Sequence, residues 1–129
     1  MPGSYTFKKL MEVEDSAPKF GFQENQEARF AYKDLEADTV GCALHRVKPG
    51  KRQGFAHKHD QAEEVYVVIA GSGRVKLDDD IVELEPLDAI RVAPEVIRQF
   101  EGGPEGLQIL AFGPRHERDG EILPGWWSD

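Results

Sequence analysis

A chain of 129 residues with 40% hydrophobic composition holds one core and one domain, too few for two. Its 24 acidic against 16 basic residues leave a formal net charge of −8, which argues against non-specific binding of a nucleic-acid backbone and favours a small ligand. A lone cysteine, Cys42, excludes an internal disulfide, and no apolar run approaches the roughly 20 residues that span a bilayer.

The first stretch, residues 1–27, is polar and irregular. It shows no leader pattern, since its lysines follow the apolar positions, and with Cys42 unpaired the expected location is the cytoplasm. One or two short elements are expected there, packed outside the main fold or on a partner. From about Ala28 to residue 113, short runs rich in Val, Ile, Phe and Tyr recur between Gly, Pro and Asp clusters, which is the punctuation of an all-β domain. Predicted strands are Val40–Val47, Gly54–His59, Glu64–Ala70, Gly73–Leu77, Ile81–Leu84, Ala89–Val92, Arg98–Glu101 and Leu107–Phe112, a set that suits a sandwich or barrel. Pro49-Gly50, Gly71-Ser72-Gly73, Asp78-Asp79-Asp80 and Gly102-Gly103-Pro104 are the expected connections. The tail, residues 114–129, is charged until Trp126-Trp127, whose rings gain by docking on the barrel or a second subunit.

The chemistry concentrates between Gly54 and Gly71. Side chains at i and i+2 of a strand share a face, so His57 and His59 point the same way as Phe55. Four residues later Glu64 opens a strongly β-forming run, and if the two strands lie side by side its carboxylate falls beside both imidazoles. Two imidazoles and one carboxylate suit a divalent Fe, Mn, Ni, Zn or Cu ion and leave coordination positions open. His57, His59, Glu64 and Gly71, with four residues in the first gap and six in the second, resemble the first motif of the cupin superfamily. Glu63 satisfies a shorter first gap, but only Glu64 keeps the second.

That resemblance covers roughly residues 38–112 and implies a single-domain jelly-roll β-barrel with short N-terminal and C-terminal extensions. A second cupin motif maps onto Pro86 to Gly102, with departures: Leu87-Asp88 replaces Gly-Asp, Glu95 stands where glycine is usual, and Gly102 replaces asparagine. Arg98 occupies the position of the fourth metal ligand, a histidine in the family. A guanidinium only donates hydrogen bonds and cannot ligate a cation. Two arrangements follow. In one, the metal stays on His57, His59 and Glu64 while Arg98 holds an anionic substrate group; in the other, Arg98 pairs with Glu64 and replaces the metal's charge.

Tyr66 shares parity with Glu64, and Phe100 with Arg98, so both face the interior as core or as substrate contacts; with Gln53 and Arg98 they form the substrate-binding set. His45 on the Val40–Val47 strand reads as packed or exposed rather than ligating, His116 as solvated, and Cys42 as a small buried apolar residue. Gln61 and Gln99 are further polar neighbours of the motif, and Asp78–Asp80 reads as a solvated turn. The resemblance implies a metal-dependent enzyme of dioxygenase, decarboxylase or isomerase type acting on a small polar or anionic molecule. The alternative is a non-catalytic small-molecule binder or sensor, for only Glu63, His45 or Tyr66 offers a general base outside the ligands. No helix-turn-helix accompanies the barrel. Open sheet edges make a homodimer the expected assembly.

Overall fold

The structure is a computed structural model that describes residues 3–129. Its strands are β1 (Gln26–Phe30), β2 (Val40–Val47), β3 (Ala56–His59), β4 (Glu64–Leu77), β5 (Asp80–Leu84), β6 (Ala89–Val92), β7 (Arg98–Pro114) and β8 (Gly120–Leu123), preceded by two short 3-10 turns at Leu10–Glu12 and Ala17–Phe20. All pairings are antiparallel. One path runs β1-β2-β7-β3-β8, and β4 joins it through β7 while also pairing β5 and β6. No helix among the described residues is long and apolar enough to cross a membrane.

The alternation on β4 decides which residues face inward. Tyr66 and Val68 are buried whereas Val65 and Ile69 are exposed, so the even-numbered positions, Glu64 included, point into the barrel. On β7 the same logic buries Arg98, Phe100, Ile109 and Ala111. The core gathers these with Ala43 and Val47 of β2, Val75, Leu84, Val92 and Leu107. Tyr66 and Phe100 pack against each other, ring centroids 4.9 Å apart.

Two expected connections are not turns. The chain passes through Gly71-Ser72-Gly73 within β4 and through residues 102–106 within β7, so four short strands become two long ones. The register shifts between Val68 and Ala70 and between Gly71 and Gly73, two irregularities that bend β4 across β7. A Cβ on Gly71 would lie 2.1 Å from the Gly106 carbonyl oxygen, and one on Gly73 would lie 2.0 Å from that of Glu101. The glycines permit close backbone approach inside a sheet rather than reversing the chain.

Two strands fall outside the predicted set. β1 forms by pairing Gln26–Phe30 with Val47–Ala43, and β8 forms by pairing Gly120–Leu123 with β3. Beyond β8 the tail returns to the barrel. The Arg52 guanidinium stacks 4.1 Å from the buried Trp127 ring and donates to the Trp127 carbonyl at 2.8 Å, while Lys76 lies 4.7 Å from the Trp126 ring.

Candidate metal centre

Three segments deliver the site. β3 carries His57 and His59 on one face, with ring centroids 5.1 Å apart and nearly perpendicular planes. β4 opens on Glu64. β7 opens on Arg98, which stands directly across from His57 in the sheet register. β3 and β4 are not sheet neighbours, since β3 pairs β7 and β8; Glu64 meets the imidazoles across the barrel interior instead of from an adjacent strand.

The convergence centres on one oxygen. Glu64 Oε1 lies 3.3 Å from His57 Nε2 and 3.3 Å from His59 Nε2, and the ligating atoms of the three residues all fall within 4.8 Å of one another. The same oxygen accepts a hydrogen bond from Arg98 Nη1 at 2.7 Å and another from the Tyr66 hydroxyl. A carboxylate oxygen has two lone pairs, so these two donors fill it. His57 Nε2 reaches the same oxygen only at 3.3 Å, and both ring nitrogens of His59 are buried without a hydrogen-bond partner. Burial, the largest influence on His57, lowers its pKa and keeps it neutral, with its lone pair available. Burial opposes ionisation of Glu64, but the polar groups turned toward it, His57 first and then His59 and Tyr66, outweigh that cost and hold the carboxyl far below the usual range. Two imidazoles and an ionised carboxylate, with both ring nitrogens of His59 left unpaired, are a donor set that fits a divalent transition ion.

Arg98 is fixed behind Glu64. Its side chain is fully buried, Nε donates to the Val96 carbonyl at 3.0 Å, and Nη2 donates to the carbonyls of Ala93 at 2.7 Å and Pro94 at 3.1 Å. The guanidinium is thus committed to backbone and to Glu64, as in the second of the two arrangements the sequence allows. Neither Arg98 nor Phe100 lines the cavity; Phe100 lies wholly in the core.

That cavity, about 730 Å³, opens over the histidines and Glu64. Tyr66 and Gln53 line it, as do His45, Cys42 and Phe55, while exposed Arg115, His116 and Arg118 stand with Lys33 around its mouth. Gln53 Oε1 accepts the Phe100 N–H at 3.1 Å. Burial lowers the His45 pKa to about 4, with a smaller contribution from His57, and its Nδ1 is buried without a partner. His45 nonetheless lies outside the cluster of ligating atoms. Cys42 is half-buried rather than part of the core, and burial raises its pKa, so it remains a thiol. Glu63 sits on the surface in an exposed pair with Arg91 at 3.1 Å, which separates it from Glu64 and from the site.

Two contributors had no signal in the sequence. Gln26, at the start of β1, lines the cavity and accepts the Gly54 N–H at 2.8 Å. Asp119, just before β8, is buried; it accepts the Gln61 and Ala62 N–H groups at 2.8 and 2.9 Å and lies 3.2 Å from His59 Nδ1. Burial opposes its ionisation, yet those backbone donors hold its carboxyl below the ordinary value.

Residues 43–110, just over half the chain, match the family described as Cupin domain. An uncharacterised protein of Methanocaldococcus jannaschii is 34% identical over 80 residues, which cover 60% of this chain and 64% of that protein, just under two thirds of its length. Among solved structures, a cupin protein from Bacteroides fragilis superposes with a TM-score of 0.72 at 19% identity, covering 91% of this chain and 89% of that one. Oxalate decarboxylase from Bacillus subtilis superposes with a TM-score of 0.77, also at 19% identity, over 95% of this chain and 33% of the longer protein.

Proposed function

Because this chain belongs to the cupin domain family, we propose that its barrel holds one divalent transition ion on His57, His59 and Glu64 and acts on a small polar or anionic molecule admitted through the cavity above them. The observation that carries the reading is the surplus of lone pairs at the site: two imidazole nitrogens face a carboxylate oxygen whose acceptor capacity is already taken. Fe, Mn, Zn or Ni suits that donor set. When bound, such an ion supplies Lewis-acid polarisation of a coordinated oxygen.

The chain's own residues set what surrounds the ion. Arg98 holds the Glu64 carboxylate in place through one bond and is itself clamped by three carbonyls. Its charge also disfavours a neutral site. A divalent ion beside Arg98 and one carboxylate leaves the immediate surroundings doubly positive, which favours an anionic ligand at the open coordination positions. Tyr66 keeps its proton, since burial raises its pKa far above the ordinary value, and it presents that proton to Glu64 beside His57. Gln53 offers an amide donor for a substrate oxygen. That a protein of the same fold is named for decarboxylating oxalate, a small dicarboxylate, supports an anionic substrate class. A reducing cytoplasm and a homodimer complete the reading.

A second reading has its own observation. The Arg98–Glu64 bond at 2.7 Å already neutralises the carboxylate, as a metal-free binder or sensor requires. Adding Co2+ to chelator-treated protein separates the two. The metal reading expects a visible d–d band that shifts when oxalate or acetate is added, with band and shift both lost in the His57→Ala, His59→Ala double variant. A protein that gives no band, or a band indifferent to anions, would refute it.

A further inference from the structure

We propose that Asp119, on the tail beyond the region matched by the family, is a positioning residue that fixes the proton of His59 on Nδ1 and so directs the Nε2 lone pair into the metal centre. The inference rests on the metal reading above and adds to it a second carboxylate that no sequence motif marks.

Asp119 Oδ2 lies 3.2 Å from His59 Nδ1, and a carboxylate oxygen only accepts. A bare nitrogen lone pair facing that oxygen at such a distance is repelled, whereas an N–H is attracted. On the other side of the ring, His59 Nε2 faces Glu64 Oε1 at 3.3 Å, but Arg98 and Tyr66 already occupy that oxygen. A proton on Nδ1 therefore has an acceptor of its own, whereas one on Nε2 meets an oxygen already taken. Nδ1 has no aligned hydrogen-bond partner, so the bond to Asp119 requires the ring to turn toward that oxygen.

The carboxylate cannot drift away from this role. Its two oxygens accept the N–H groups of Gln61 and Ala62, which lie in the loop joining β3 to β4, between His59 and Glu64. Asp119 thus ties the tail to the segment that sets the spacing of the ligands. β8, which begins at the next residue, continues the tie by pairing Gly120 with His59 and Ile122 with His57. The far end of the tail is held by Trp127 against Arg52. A carboxylate behind a ligating imidazole orients the ring, raises its basicity and offsets one of the positive charges that Arg98 and the ion bring together.

The test uses the full chain and has a readout that needs no activity. Long-range 15N–1H correlation spectra of metal-free protein near neutral pH report which ring nitrogen of His59 bears the proton. The expected result is Nδ1–H for His59 in the wild type, moving toward Nε2–H in Asp119→Asn while the His57 signals stay in place. Titration of Zn2+ into both proteins is expected to show affinity about 10–100-fold weaker in the variant. A wild-type His59 protonated on Nε2, or a variant that binds Zn2+ within about threefold of wild type, would overturn the proposal. The wild-type spectrum decides the tautomer even if the variant folds poorly. Failure of wild-type protein to bind Zn2+ would count against the metal reading itself, and is thereby distinguished from failure of the role given to Asp119.

Discussion

Replacing Arg98 by alanine is expected to destabilise the protein by about 3–5 kcal/mol, the range found when one partner of a buried ion pair is removed. The guanidinium is completely buried and spends its hydrogen bonds on Glu64 and on the carbonyls of Val96, Ala93 and Pro94. Its loss strands a largely buried carboxylate and three carbonyls, and opens a void against β7. Urea unfolding of metal-free protein measures the effect. The carboxylate's share is separated by Glu64→Gln in the same background, which is expected to recover part of the loss because a neutral amide tolerates the unpaired position. An Arg98→Ala protein within about 1 kcal/mol of wild type would mean that water already solvates Glu64 and that the pair contributes little.

Arg98→His is expected to tighten metal binding by about two orders of magnitude. Removing the unit positive charge that Arg98 places on Glu64 relieves repulsion of a divalent ion held by the same carboxylate, worth on the order of a few kcal/mol between near neighbours even at an effective dielectric constant of ~20. The new imidazole also starts directly across the sheet from His57, on an inward-facing position, where it adds a fourth ligand. Competition against a chelator of known affinity, with Zn2+ or Ni2+, gives the comparison. Unchanged affinity would indicate that the guanidinium does not oppose the ion and that position 98 cannot reach it.

Residue spacing carried the site. The i, i+2 placement of His57 and His59 and the position of Glu64 at the mouth of a strongly β-forming segment were enough to bring three donors into one cluster, because strand alternation is a local property. The same local rule made β2 and β6 legible to their ends. Glycine was read less well. Gly71, Gly73 and Gly102 have the look of chain reversals, but their role depends on carbonyls approaching from a strand distant in sequence, which local pattern does not contain.

The N-terminal and tail elements were obscured for a related reason. Gln26-Glu27-Ala28-Arg29-Phe30 has weak β propensity and is a strand only because β2 offers it a free edge. Gly120–Leu123 is short and becomes β8 only against β3. Asp119 could not be singled out among the 24 acidic residues, since its importance arises from the pairing that sets it beside His59. Spacing gives Arg98 its place in the second motif, but the choice between holding substrate and holding Glu64 depends on three loop carbonyls that no spacing rule anticipates.

The central claim is that His57, His59 and Glu64 bind a metal ion although Arg98 stands where a fourth ligand would be. Elemental analysis of untagged protein, purified without chelators and then equilibrated with Fe2+, Mn2+, Ni2+ or Zn2+, tests it directly. The account predicts about one equivalent of a transition ion per chain in the wild type and none in the His57→Ala, His59→Ala variant. Wild-type protein that stays empty with every ion, or a double variant that retains the full complement, would contradict it.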